Sequence, residues 1–323
     1  MSRIRTDHMV SAMRPRILDA NRRHVLVSRM EGSKQEQDLA LPANANGIGR
    51  RRHFRRRAAP GWPDNPLPVV PASRWLAIEP PEIMQAQVFQ LAGCAWRCWY
   101  CFVPFDLLSA NASKSVWIDA SELVDLYLDQ PDRPCILDLS GGSPDLAPEW
   151  IAWTMDAIEK RGSKAEVYLW SDDNLSTDLL LRKDSRVLLE RIQAYGRGYG
   201  KACCIKGFDA ESFAFNTAAD ASGFEEQLRI LQGYSETDLD LHVYVTFTAP
   251  PGAHDREAMK GFVERLLAIR DDIPSRVVPL LVSEFSTMRP RLSPLRAKAL
   301  DHQWRVLDMW REALSALGLA DFG

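Results

Sequence analysis

The 323-residue sequence predicts an α/β fold: a partial TIM-like (β/α)6 barrel of parallel strands, preceded by a basic, proline-rich N-terminal arm. Two observations support the barrel. Short apolar runs alternate with amphipathic segments from about residue 85 onward, and the runs start 31 to 48 residues apart. This order of strands and helices implies parallel strands with helices outside, so functional residues are expected at the carboxyl ends of the strands.

The individual elements follow from local patterns. Strands are predicted at Gln87–Ala92, Cys135–Leu139, Glu166–Trp170, Ala202–Lys206, Asp240–Phe247 and Val277–Glu284. Asp119 is typical of a helix N-cap and Pro148 of a first helical turn, which predicts helices over 119–127 and 148–160. Further helices are predicted over roughly 179–194, 221–233, 255–269 and 292–317.

Composition restricts the classes of protein to consider. The chain is 46% hydrophobic and 26% charged, which is typical of globular proteins and excludes disorder throughout. No apolar run approaches the ~18–20 residues that cross a bilayer, and the first residues lack the apolar core of a secretory signal. We therefore expect a cytoplasmic protein without membrane contact, whose six cysteines serve metal or redox chemistry.

The charge is distributed unevenly. Residues 1–60 hold 14 Lys and Arg against 5 Asp and Glu, whereas the whole chain has a net charge of −3. Seven prolines between residues 60 and 81 favour an extended tether. We expect a partly disordered arm and linker over 1–81, a barrel over 82–290, and a C-terminal helix packed on the barrel over 291–323. The run Arg50–Arg57 makes nucleic acid a candidate partner; a solvated tail, or folding back onto the acidic body, are the alternatives.

Three cysteines directly follow the first predicted barrel strand. Cys94, Cys98 and Cys101 have the spacing C-x3-C-x2-C, and thiolates this close together can bind one iron–sulfur cluster. Electron-transfer clusters normally have four cysteine ligands, so three leave one iron open for chemistry. Structural zinc, which needs a fourth ligand, and inert buried cysteines are the alternatives.

With Tyr100 just before the last cysteine, this motif resembles the radical S-adenosylmethionine (radical SAM) superfamily, with no subfamily identified. The resemblance implies a [4Fe–4S] cluster on Cys94, Cys98 and Cys101, with S-adenosyl-L-methionine on the open iron and Tyr100 near its adenine. It also implies a one-electron donor such as flavodoxin or ferredoxin. The cofactor would be cleaved to a 5′-deoxyadenosyl radical that abstracts hydrogen from a substrate, either a nucleoside or RNA, or a peptide.

Polar segments after later strands complete the predicted site. The segment Ser140, Gly141, Gly142, Ser143 and Pro144 follows the second strand and resembles the Gly-Gly-Glu-Pro segment of the superfamily, with Ser143 in place of glutamate. The resemblance assigns this segment to the amino group of the cofactor.

Three further residues are predicted to bind the cofactor. They are Ser171 and Asp172 after the third strand and Lys206 at the end of the fourth. On the fifth strand, His242, Tyr244, Thr246 and Thr248 share a face that we expect to line the barrel interior. A non-catalytic iron–sulfur or zinc scaffold remains the alternative to an enzyme.

Overall fold

The computed structural model describes residues 3–57 and 64–319. Residues 1–2 and 58–63 of the predicted arm and linker, including Pro60 and Pro63, lie outside these ranges, as do residues 320–323 of the predicted C-terminal segment. No helix in the described ranges is both long and apolar enough to cross a membrane.

The described chain contains ten strands and nine α-helices. The strands are β1 (Leu18–Asp19), β2 (His24–Ser28), β3 (Gly49–Arg55), β4 (Ile83–Phe89), β5 (Ser115–Asp119), β6 (Ile136–Leu139), β7 (Tyr168–Asp173), β8 (Tyr199–Ile205), β9 (Leu241–Val245) and β10 (Val277–Pro279). The helices are α1 (Thr6–Met13), α2 (Val69–Leu76), α3 (Ala120–Leu128), α4 (Pro148–Lys160), α5 (Arg186–Ala194), α6 (Ala210–Thr217), α7 (Gly223–Ser235), α8 (Asp255–Ile269) and α9 (Pro294–Ala316).

A curled seven-stranded sheet forms a half-barrel with the strand order β10-β9-β8-β7-β6-β4-β3. All neighbours from β4 to β10 pair in parallel, which confirms the six predicted parallel strands and the partial barrel. The seventh strand, β3, pairs antiparallel with β4 and was not predicted. A small separate sheet joins β1, β2 and β5.

Strand alternation gives the half-barrel two faces. On β7, Tyr168 and Trp170 belong to the apolar cluster on the concave face, whereas Leu169 packs with the helices on the convex face. The convex face carries the larger core. There α9 packs on α8, with the Trp310 ring 5.5 Å from the ring of Phe247.

The described residues of the predicted arm and linker over 1–81 include the strands β1 to β3 and the helices α1 and α2. The arginine run forms β3, because alternation turns Arg50, Arg52 and Phe54 toward the concave face, where Arg52 meets Asp138 at 3.0 Å. The basic segment therefore neutralises acidic residues of the barrel. Since Arg50 is only 4% exposed and Arg52 is ion-paired, these two side chains do not contribute to an exposed basic surface.

The proline-rich segment is also folded where it is described. Leu67, Val69 and Ala72 pack into the concave apolar cluster with Trp170. Tyr244 donates a hydrogen bond to the carbonyl of Leu67 at 2.8 Å. This segment, which includes α2, fills the concave face of the sheet on the side away from the cysteine loop.

Candidate active site

The cysteine loop, residues 94–101, begins five residues after the last residue of β4 and is held by contacts on two sides. The backbone amides of Arg97 and Trp99 donate to the last two residues of α6 at 3.1 and 3.2 Å. From the segment before α9, the Arg291 guanidinium donates to the carbonyls of Cys98 and Cys101. Cys94 is buried, and the other two cysteines are partly exposed. The loop conformation is thus set by contacts with distant parts of the chain.

The three thiols occupy one electrostatic environment. Burial raises the pKa of Cys98 to about 12; Lys206 opposes this shift, and the neighbouring thiols of Cys94 and Cys101 add to it. Burial also raises the pKa of Cys101, and again Cys94 contributes. Thiols in this environment stay protonated until a bound cation stabilises the thiolates.

The three thiols do not form a site for a single metal ion. Within residues 3–57 and 64–319, no group of three or more His, Cys, Asp or Glu side chains is arranged to hold one metal ion. In a cubane cluster each cysteine binds a different iron, so the sulfurs stand farther apart than the ligands of a single ion. Three soft donors sharing one environment therefore fit a cluster by their chemistry.

The glycine-rich segment after β6 lies directly on the cysteine loop. Gly142 has φ +67°, and a Cβ there would lie 2.3 Å from the carbonyl oxygen of Gly93. The amide of Ser143 donates to that same carbonyl at 2.8 Å. Only glycine permits this approach, because both the positive φ and the contact with backbone exclude a side chain.

The hydroxyl of Ser143 links three segments. It accepts hydrogen bonds from the amide of Ala95 at 3.1 Å and from Asn174 Nδ2 at 2.9 Å, and it donates to Cys94 Sγ at 3.2 Å. Asn174 Nδ2 also reaches the carbonyl of Gly142 at 2.9 Å. Ser143 is completely buried. Asn174 is not among the residues predicted from the sequence, because its contacts depend on how the loops meet.

A buried ionic cluster lies at the carboxyl ends of β6 and β7. Arg52 lies 3.0 Å from Asp138 and 3.6 Å from Asp172, and the hydroxyl of Ser140 donates to Asp172. Trp170 Nε1 also donates to Asp172, at 3.2 Å. Burial raises the pKa of Asp138 to about 7, although Arg52 opposes the shift. The predicted residues Ser140 and Asp172 are thus directed into this cluster.

Lys206 and Tyr100 complete the concave side of the site. Burial disfavours the charge of Lys206, but Cys204, Cys98 and Asp172 outweigh it and raise the pKa of its amine. The Tyr100 hydroxyl lies 3.2 Å from Thr246 Oγ1.

The polar stripe on β9 faces the barrel interior, as predicted. Thr246 bonds to Tyr100 at the cysteine loop, Tyr244 belongs to the concave apolar cluster, and the His242 ring lies 5.1 Å from that of Trp170.

Ser171 does not reach the cysteine loop. Because β7 continues to Asp173, alternation places Ser171 on the convex face, where its hydroxyl lies 2.7 Å from that of Tyr199. The predicted role of Ser171 in cofactor binding is therefore not supported.

The remaining predicted residues of the segment after β6 form turns. Gly141 has φ +87° and lies against the Gln90 side chain, and Pro144 begins a short 3-10 turn.

Two cavities of the described chain lie outside the concave side of the half-barrel. The larger, about 670 Å³, lies between α1 and residues 176–182. The smaller, about 370 Å³, lies beside Phe105 and Arg291, next to the cysteine loop. We locate the candidate site by its chemistry, because the larger cavity contains none of the thiols.

Comparison with known proteins gives matches only among solved structures. No family model and no curated protein matches the chain. Two similar structures are of SuiB from Streptococcus suis. One, bound to its precursor peptide SuiA, has a TM-score of 0.49 and covers 72% of this chain and 46% of its own. The other, bound to S-adenosylmethionine, has a TM-score of 0.47, covering 72% and 48%. Both are 12% identical to this chain, which spans about half their length.

The fold of this chain is a half-barrel of six parallel strands, β4 and β6 to β10, extended by the antiparallel β3. This is the partial barrel that the sequence predicts, and the three-cysteine loop follows its first parallel strand.

Proposed function

We propose that this chain is a radical SAM enzyme that binds a [4Fe–4S] cluster through Cys94, Cys98 and Cys101, with S-adenosyl-L-methionine beside it. One observation carries the proposal: the Ser143 hydroxyl contacts both the amide of Ala95 and Cys94 Sγ. The loop that the sequence assigns to the cluster and the loop that it assigns to the cofactor therefore meet at the carboxyl ends of adjacent parallel strands.

When bound, the cluster would supply one electron for cleavage of the cofactor to a 5′-deoxyadenosyl radical, which takes a hydrogen atom from the substrate. A one-electron donor such as flavodoxin or ferredoxin is part of this proposal. The chain's own residues bind and orient. Lys206 offers a buried positive charge for a carboxylate, and the Gly141-Gly142 turn lets backbone approach the ligand.

The residues below the site keep water from it. Phe54, Trp170 and Tyr244 are all at most 2% exposed, and they fill the concave face under the ionic cluster. A radical formed next to these apolar side chains would react with substrate rather than with water. The hydrogen bond from Tyr100 to Thr246 holds the Tyr100 ring at the rim of the same space.

The test is anaerobic reconstitution of the full chain with iron and sulfide, followed by dithionite and S-adenosyl-L-methionine. We expect 5′-deoxyadenosine from the wild-type protein. Cys98→Ala should lose both the visible absorption of the cluster and this product, because two thiolates do not hold a cubane. Cys135→Ala is the matched control, since Cys135 is a partly buried cysteine outside the loop. A full cluster without 5′-deoxyadenosine would instead support the non-catalytic scaffold.

A further inference from the structure

Arg50 is a buried cation beside the cysteine loop. It pairs with Val88 in the antiparallel register of β3 and β4 and is 4% exposed. Its guanidinium lies 4.9 Å from the ring of Phe102, the residue after Cys101. In the described ranges the Arg50 guanidinium makes no hydrogen bond or ion pair, and its Nε is fully buried without a partner.

The nearby carboxylates are already engaged by another arginine. Arg52 lies 3.0 Å from Asp138 and 3.6 Å from Asp172. The three cations Arg50, Arg52 and Lys206 face these two carboxylates, which leaves one formal positive charge in excess. In addition, Asp138 Oδ1 is buried without a hydrogen-bond partner. Two unpartnered polar atoms thus lie in a single cluster at the site.

An unpaired buried charge costs stability, so its presence needs a cause. Burial lowers the pKa of Arg50 to about 10, and repulsion from Arg52 contributes. Arg50 therefore remains protonated at neutral pH. Local arrangements that disfavour folding are typical of functional sites, where a ligand supplies the missing partner.

We infer that Arg50 binds a carboxylate group of the substrate next to the cysteine loop. The planar guanidinium matches a carboxylate through two parallel hydrogen bonds. A carboxylate also offsets the excess positive charge of this cluster. The assignment of this carboxylate to a substrate rests on the proposed function.

The test uses the full chain, both as purified and after reconstitution, with acetate and inorganic phosphate as probes at constant ionic strength. We expect acetate to raise the thermal unfolding midpoint saturably. Arg50→Gln should weaken acetate binding at least about tenfold, since hydrogen bonds to charged groups contribute about 1.5–3 kcal/mol and 1.4 kcal/mol is tenfold. Arg51→Gln is the matched control, because Arg51 is the next residue of the strand and lies on the opposite face.

Several results would overturn the inference. Equal loss of acetate binding in Arg51→Gln would show only general electrostatics, and stabilisation by phosphate but not acetate would exclude a carboxylate site. Without probes, Arg50→Gln should unfold at the same or a higher temperature than wild type, because an unpaired charge has been removed. A lower midpoint would mean that Arg50 is structural. If Arg50→Gln does not fold, Arg50→Lys is the second variant. It keeps the positive charge but loses the two parallel hydrogen bonds of the guanidinium, so it should bind acetate more weakly than wild type.

A measurement of cofactor cleavage distinguishes failure of this inference from failure of the proposed function. With saturating S-adenosyl-L-methionine, Arg50→Gln should form 5′-deoxyadenosine in the absence of substrate at the wild-type rate. Weaker cofactor binding in this variant would place the carboxylate on the cofactor and refute a substrate site. If the wild-type protein forms no 5′-deoxyadenosine, the proposed function fails, while the acetate titration still reports on Arg50.

Discussion

Replacing Ser143 by alanine tests the contact on which the site depends. The change removes the acceptor for the amide of Ala95 and for Asn174 Nδ2, and it also removes the donor to Cys94 Sγ. Ala95 is fully buried, so its amide has no route to water. Asn174 keeps one bond, to the carbonyl of Gly142, and loses less.

The expected loss follows from these contacts. A buried donor without its acceptor costs about 1–3 kcal/mol. The Ala95 amide loses its acceptor completely and Asn174 Nδ2 loses one of two acceptors, so we expect the free energy of unfolding to fall by about 2–3 kcal/mol. In a domain of 150–250 residues each kcal/mol lowers the melting temperature by about 2–4 °C, and the shift is smaller in a longer chain. We therefore expect a decrease of about 4–6 °C, measured by circular dichroism on the unreconstituted chain, with reduced iron content after reconstitution.

Ser171→Ala is the matched control. Ser171 is also a completely buried serine, but its hydroxyl bonds to Tyr199 on the convex face. It should lose about 1 kcal/mol and keep its full iron content. If Ser143→Ala is as stable as wild type, or if both variants lose iron equally, the reasoning about the Ser143 contact is refuted.

Three further changes have defined outcomes. Arg52→Gln removes the ion-paired partner of the buried Asp138 carboxylate and should lower the free energy of unfolding by about 3–5 kcal/mol in urea titrations; a change under about 1 kcal/mol would contradict the ion pair. Burial, followed by Asp173, raises the pKa of Asp145 to about 7, so the native state binds a proton that the unfolded state has released. Stability should therefore fall as pH rises from about 4 to about 7, and Asp145→Asn should flatten this slope in urea titrations across pH; an unchanged slope would contradict the shift. Tyr100→Phe should cost about 1 kcal/mol in urea unfolding, and no further loss should occur when Thr246 is already valine; additive losses would contradict their hydrogen bond.

The barrel was predictable because its signals are local. Each parallel strand is a short apolar run, and all six appear in the predicted order. Helix α4 spans Pro148–Lys160, as predicted, because a first-turn proline marks its start. The position of the cysteine loop followed from the same pattern, since a strand end in a parallel sheet fixes which edge its loop joins.

Composition alone does not predict that the arginine run forms strand β3. Its strand is stable because Arg52 meets Asp138, which is 86 residues away in sequence. A charge count does not distinguish the six arginines of the run. Strand alternation, however, places Arg50 and Arg52 on the concave face of the sheet together with Phe54. The buried carboxylates that pair with the run belong to other strands.

The error at Ser171 is one of strand length. The predicted third strand ended at Trp170, so Ser171 and Asp172 both fell in the following loop. The strand in fact continues to Asp173, and its pleat sends Ser171 and Asp172 to opposite faces. Asp172 therefore joins the ionic cluster while Ser171 joins the convex core. An extension of three residues decides which polar side chain belongs to the site.

The folded N-terminal segment changes how a truncation should be interpreted. Removing residues 1–58 would delete β3. The carboxylates of Asp138 and Asp172 would then lose their ion pairs with Arg52, and β4 would become the edge strand of the sheet. Such a protein would lose activity whatever its substrate, so that loss would not indicate nucleic acid. Single substitutions on β3 are the informative experiment, because Arg50 and Arg51 carry the same charge on opposite faces of one strand.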